Sequence, residues 1–266
     1  MPSYQETNTR VASKWLRRLN GFPYDPTTDM EDCLNSMERL DPDDKNMSLS
    51  ILRSEELNRW LQGDESSIID VNLDSPPASL DNPLSLASAL LTTAIGSTDR
   101  FPVLAFYCDH RNMESPSEDD SGLIALLKCL NGQLLKFISD HRPSVDLEEL
   151  ADGDFFSKAR KEIRAGLKLL KALLSLLPKD DTVFIIIDSL SRLSGDDDAR
   201  TMKKLAQIIG QKDGVAIKVM VTDAMPGCHV KTAADDTLYV PDLAFGPGVI
   251  DISATCDEIV RYLRQR

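Results

Sequence analysis

The sequence predicts an α/β protein built on a parallel sheet covered on both faces by helices. Three observations carry this. Four short, mainly apolar runs occur at Ile68–Val71, Val103–Tyr107, Val183–Ile187 and Ile217–Val221, the first interrupted by Asp70 and the last by Lys218. Segments with helical spacing separate them, and a weaker fifth run, Leu238–Val240, follows. Continuous apolar runs, rather than alternating ones, mark strands buried on both faces, and strand–helix alternation requires parallel pairing with right-handed crossovers. A doubly wound sheet of about five strands is therefore expected, preceded by a helical segment. The boundary is placed at residues 1–64 for that segment and 65–266 for the α/β domain.

The helical segment reads from its periodicity. Val11, Trp15, Leu16 and Leu19 lie at helical spacing, and Gly21 with Pro23 ends that helix. Asp29–Leu40 forms a second helix and Ile51–Leu61 a third, with Leu52, Leu57, Trp60 and Leu61 on its apolar side. Between the strands, helices are expected at Leu84–Ile95, Leu123–Ser139, Phe155–Leu177 and Ala199–Ile209. The Leu-rich Phe155–Leu177 segment has apolar residues on more than one face, which suits a helix buried between layers or one that docks a partner. A C-terminal helix is placed from about Thr255, because Thr255 and Glu258 have capping-box spacing. Arg111–Ser121 and Ser194–Asp198 are acidic, solvated loops, and Gly246-Pro247-Gly248 is a turn.

Composition narrows the function. The chain has 266 residues, 42% hydrophobic, with 30 Lys+Arg against 43 Asp+Glu and a net charge of -13. Such an apolar fraction supports a sizeable core. The acidic balance argues against nucleic acid or an anionic membrane as the main partner, leaving room for a small local basic patch. The N-terminus has no apolar signal core. The stretch Asn82–Thr98 is uncharged and apolar, but its Ser, Thr and Asn content reads as a buried helix rather than a span. Five widely spaced cysteines without a C-x-x-C suit free thiols in a reducing compartment, and a cytoplasmic location is expected, with no segment separating cytoplasm from nucleus.

In a doubly wound sheet the chemistry lies beyond the carboxyl ends of the strands. A phosphate-binding loop there is rich in Gly and ends in Gly-Lys-Ser/Thr, so that backbone N–H groups and a Lys hold the phosphates. Here the loop after the first strand has no Gly and no Lys between Val71 and Ile95. It has Pro76, Pro77 and Pro83, which lack the N–H donor, and Asp74 and Asp81, which repel phosphate. Pro76, Pro77 and Leu80 are expected to pack the crevice the loop would have left. VFIIIDSLSRL ends its strand in Asp188, the shape of a metal-organising acid, although a capping role for such an Asp is equally ordinary.

WLRRLNGFPYDP, the later Ser-Glu-Glu-Leu-x-x-Trp-Leu segment, PVLAFYCDHRN, VFIIIDSLSRL and IKVMVTDAMPG together resemble, in order, the NACHT-type STAND P-loop NTPase module of fungal immune-receptor-like proteins, over roughly residues 10–225. The resemblance implies a P-loop NTPase-like fold. It places the family's Gly-Lys-Ser-Thr on Asn82, Pro83, Leu84 and Ser85. The family's Asp-x-Leu-Asp-Glu falls on Asp188 through Arg192, so its second acidic pair is replaced by Ser191 and Arg192. The Thr-Ser-Arg sensor falls on Thr222, Asp223 and Ala224. The phosphate Lys, the second acid and the sensor Arg are all absent, and these positions read as a vestigial nucleotide site. The expectation is a catalytically inactive domain without cofactor or metal, acting as a scaffold or regulatory subunit on a protein partner or on its own copies. The alternative is residual nucleotide binding, with Lys218 or Lys231 replacing the missing Lys.

Other constellations are weaker. Cys108 with His110 and Cys228 with His229 have zinc-binding chemistry but no recognised finger spacing. No G-x-S-x-G elbow occurs. Asp109 and Asp188 are candidates to face one crevice as a carboxylate pair, with surface or capping roles as the alternative.

Overall fold

The computed structural model describes residues 4–19, 21–74, 79, 81–112, 122–150, 153–193, 203, 207–208, 214–223, 234–241 and 251–265. Five strands form one parallel sheet: β1 (Ser67–Leu73), β2 (Val103–Tyr107), β3 (Thr182–Asp188), β4 (Ala216–Asp223) and β5 (Asp236–Val240). Their spatial order is β2-β3-β4-β1-β5. β1 therefore sits between β4 and β5, and β4 separates it from the strand that ends in Asp188. Every apolar run read as a strand is one, which the burial of β3 along its whole length explains.

The helices are α1 (Tyr4–Arg18), α2 (Thr27–Asn35), α3 (Pro42–Arg53), α4 (Glu55–Gln62), α5 (Pro83–Gly96), α6 (Cys108–Asn112), α7 (Gly122–His141), α8 (Gly153–Ala159), α9 (Ile163–Ser175) and α10 (Ile252–Gln265). Alternate strand residues divide the core in two. Leu104, Phe106, Val183, Ile185, Ile187, Val219 and Val221 face α1, α7, α8 and α9. Ile69, Val71, Ala105, Tyr107, Phe184, Ile186 and Met220 face α3, α4, α5 and α10. The sheet is thus covered on both faces, as in a doubly wound α/β protein: a buried first strand precedes α5, whose N-terminus meets the Asp-terminated β3.

The N-terminal helices contribute to both cores. Trp15 of α1 packs edge-on against Phe156 of α8, with ring centroids 6.1 Å apart. Trp60 of α4 packs likewise on Phe184 of β3, at 5.7 Å. α7 is the one described helix long and apolar enough to cross a membrane; 78% of its apolar window is buried between the sheet and its helical neighbours.

Several boundaries differ from the sequence reading. The helix expected at Ile51–Leu61 is two helices, broken at Ser54, whose extended backbone (ψ 148°) lets its Oγ accept from Leu57 N at 3.1 Å. The first of them, α3, begins back at Pro42 behind the cap of Asp41, whose side chain accepts from Asp44 N. Phe155–Leu177 is also two helices, α8 and α9, and α9 buries one face through Ala165, Leu169, Leu170, Leu173 and Leu174. Thr255 is inside α10 rather than at its cap. Asp251 accepts from Ala254 N at 3.2 Å, and the Thr255 hydroxyl donates back to Asp251 O. The predicted helix at 199–209 and the turn at 246–248 lie largely or wholly outside the described residues.

Candidate functional site

The C-terminal end of the sheet is organised around Asp188, the last residue of β3, which is fully buried. Its Oδ2 accepts from Ser85 Oγ at 2.6 Å and Ser189 Oγ at 3.3 Å. Its Oδ1 accepts from Thr222 Oγ1 at 2.6 Å and Ser88 Oγ at 3.1 Å. An ionised carboxylate has about four lone-pair sites, and four hydroxyls meet this one.

Three elements supply those hydroxyls. Ser85 and Ser88 are on α5, one turn apart, and point from an otherwise apolar helix at the sheet. Thr222 is near the end of β4, on the same face as Asp188. Its hydroxyl also accepts from Ser189 N at 2.9 Å, which fixes its proton toward Asp188. Ser189 itself is left-handed (φ 56°), turning the chain sharply out of β3 into the single turn Leu190–Arg192.

The N-terminus of α5 is closed. Asn82 is its cap, accepting from Ser85 N at 3.0 Å and donating through Nδ2 to Ser85 Oγ at 3.0 Å. Pro83 occupies the first helical position and contributes no N–H. The Pro83 carbonyl accepts from Ser48 Oγ of α3 at 3.0 Å, and Leu84 is buried in the apolar core. Of the residues read as the vestigial site, the structure joins Asn82, Ser85, Asp188 and Thr222 in one hydrogen-bond network. Pro83 only starts the helix, and Leu84 only packs. Ser191 is half-buried, and its buried hydroxyl oxygen has no hydrogen-bond partner among the described residues.

Arg192 points to Asp109 instead, at 3.7 Å. Asp109 does share the crevice with Asp188. Burial raises its carboxyl above the usual range, the Arg192 charge opposes that, and the Asp188 charge adds to it. On the other side Arg39 makes a bidentate pair with Asp81, at 2.5 and 2.7 Å, and this holds the Asp81 carboxyl low. Arg39 and Arg192 thus both face carboxylates.

Sequence reasoning missed Cys33 of α2, which sits over the crevice with its Sγ 3.4 Å from His110 Nε2. Burial, with Asp188 and three other acids nearby, pushes the Cys33 thiol well up, so it stays protonated. The contact spans 77 residues, and no periodicity announces it. Ser88 had a readable signal: Ser85, Ser88 and Thr92 form a polar stripe on an apolar helix.

The proposed substitute Lys218 is at the wrong end. It pairs with Ser67, the first residue of β1, and its Nζ donates to Ser67 Oγ at 3.0 Å. Five residues of strand, about 16 Å, separate it from Asp223 at the crevice end. Lys231, Ala224, Pro76, Pro77 and Leu80 lie outside the described residues, as do Cys228 and His229. Cys108 belongs to the core on the α7 face, while His110 meets Cys33 on the α5 face. Among the described residues no group of three or more His, Cys, Asp or Glu is placed to hold a metal.

A magnesium-bound nucleotide, which the motif resemblance implies at this end of the sheet, does not fit these residues. It needs free backbone N–H donors at the helix start, a cation and an available carboxylate oxygen. The described residues offer a capped helix with Pro at its first position, arginines turned to acids, and a carboxylate already holding four hydroxyls.

No family model and no curated protein sequence matches this chain. Among solved structures it is similar to the Aeropyrum pernix ORC2 protein, determined in ADPNP-ADP complexes, with 16% identity and a TM-score of 0.40. The match covers 74% of this chain and 47% of that one, so the chain spans about half the length of the structure it resembles.

Proposed function

We propose that this chain is a P-loop NTPase-like domain that has given up nucleotide chemistry and works by binding a protein partner. The NACHT-like motif order suggests the lineage. The observation that carries the reading is the saturation of Asp188: Ser85, Ser88, Ser189 and Thr222 take the places around the carboxylate that a metal's water shell would need. The loop sequence agrees, since it supplies neither Gly nor Lys. Phosphoryl transfer depends on positioning and charge stabilisation, and each missing donor removes part of it. What remains is a rigid two-faced scaffold with a closed crevice.

Thermal denaturation of the full chain with and without Mg-ATP tests this. A ligand at a hundred times its Kd stabilises by about 2.7 kcal/mol. The expected result at millimolar Mg-ATP is an unchanged Tm. A rise of several degrees that vanishes in Asp188→Ala would overturn the proposal and favour residual nucleotide binding through an unorthodox loop.

A further inference from the structure

The charge of this chain is distributed unevenly. Residues 10–18 and 157–171 together hold ten of its 30 Lys+Arg and one of its 43 Asp+Glu. On α1, Arg10, Lys14 and Arg17 are exposed and lie at i, i+4 and i+7, one above the other on one face. On α9, Arg164, Lys168 and Lys171 repeat the same spacing and are also exposed. Each stripe spans about 10 Å of helix.

The two stripes belong to one surface. Arg160, between α8 and α9, donates to the backbone O of Arg18 at 2.6 Å, and Arg18 reaches Ser157 at 3.5 Å. These contacts fasten the C-terminus of α1 to α8 and to the linker that leads into α9. Shallow hollows lie along the α1 stripe (about 970 Å³) and beside Lys158 and Lys168 (about 440 Å³). This layer covers the sheet face opposite α5, so it is separate from the Asp188 network.

We propose that this basic surface docks an acidic, Asp/Glu-rich stretch of a partner protein. Charge complementarity selects an anionic partner, and three features select among anions. Outside the two segments the chain is strongly acidic, and acids also border the patch: Glu6 lines the first hollow, Asp154 and Glu162 the second, and Glu148 meets Arg10 at 3.5 Å. A long polyanion leaving the patch therefore meets repulsion within a Debye length, about 10 Å at 0.1 M salt, whereas a short acidic segment does not. The two stripes carry no exposed aromatic residue on which bases would stack. They also carry no exposed large apolar side chain to enter a bilayer. The proposal deepens the protein-binding reading and rests on it only in making the partner a protein.

The test uses the full chain and a fluorescent 12-residue peptide of alternating Asp and Glu. Labelled RNA and DNA oligonucleotides and phosphatidylserine vesicles serve as rival probes, all at low salt. The expected result is peptide binding that weakens with salt and falls about tenfold or more when Lys14→Glu, Arg17→Glu, Arg164→Glu and Lys168→Glu are combined. Reversing four exposed cations elsewhere (Arg53→Glu, Lys179→Glu, Arg261→Glu and Arg264→Glu) should change it by no more than about threefold. A milder set, with Gln at the four patch positions and its Tm measured, separates lost charge from lost fold. No peptide binding, equal loss in both quadruple variants, tighter binding to oligonucleotide or vesicle, or self-association of the chain through the patch would each overturn the proposal. The Mg-ATP melting experiment is read separately, so failure of the nucleotide reading and failure of this one are distinguishable.

Discussion

The two faces of the sheet solve different problems with similar materials. On one, α5 turns Ser85 and Ser88 inward so that a buried carboxylate finds donors. On the other, α7 and α9 present leucines to the sheet, and apart from Lys128 of α7, buried over the Phe22 ring, the charge described on these helices lies outside, as the basic stripes of α1 and α9. The first face gathers hydroxyls on one carboxylate and spends their hydrogen bonds internally. The second buries Lys128, Asn131 and Gln133 of α7 but carries its exposed cations on the outer layer. On the function proposed above, contact with other molecules belongs to that outer helical layer rather than to the end of the strands.

The sharpest way to break this comparison is Asp188→Ala. If the carboxylate is a structural acceptor, its removal strands four buried hydroxyls and leaves a cavity. Hydrogen bonds to charged groups are worth about 1.5–3 kcal/mol each, without simple additivity. A loss of about 3–4 kcal/mol in urea denaturation is expected. A neutral or stabilising effect would mean that Asp188 is retained at a cost, as functional acids are, and the two faces would no longer contrast.

The next effect concerns the free edge of β2. Gln133 of α7 acts there as a substitute strand: its Oε1 accepts from Ala105 N at 2.9 Å, and its Nε2 donates to Ala105 O at 2.8 Å. The same Nε2 reaches Tyr24 O at 3.1 Å, and the Tyr24 ring sits close because Gly132 has no Cβ. Gln133→Leu should cost about 2 kcal/mol and expose an edge for pairing. Denaturation and concentration-dependent sedimentation would show both; unchanged sedimentation and unchanged stability would show that the edge needs no cover.

Asn82→Ala removes the cap of α5 and one support of Ser85. It should cost about 1 kcal/mol by the same denaturation measurement. The smallest effect is expected at Asp109. Its folded carboxyl is raised above the unfolded value, so the stability linked to it is present at low pH and is lost as pH rises through the folded value. Asp109→Asn should therefore raise Tm slightly at neutral pH, with the gain disappearing below about pH 4, where the unfolded carboxyl is protonated. A gain that persists in acid would assign the effect to packing instead.

The sheet was legible because burial on both faces writes itself as runs that stay mainly apolar even where Asp70 and Lys218 interrupt them, and β3 ends visibly in Asp188. The start of α5 was legible because Asn82 and Pro83 are chemically suited to a helix start. Breaks inside helical stretches were not, since Ser54 ends one helix and caps the next through a single backbone rotation that apolar spacing does not record. The capping-box spacing of Thr255 and Glu258 misled because Asp251, four residues earlier, competes for the cap and wins. Part of the site was hidden for another reason. Cys33 with His110 and Arg192 with Asp109, like Gln133 with Ala105 at the β2 edge, pair residues far apart in sequence or turned by local geometry, and only the folded chain shows such partners.

The central claim is that the crevice at Asp188 is closed to nucleotide by its own hydrogen bonds. Equilibrium dialysis of the full chain against labelled ATP with magnesium tests it most directly. The account predicts no retention above a protein lacking any nucleotide site. One equivalent retained by the native chain and lost in Asp188→Ala would contradict it.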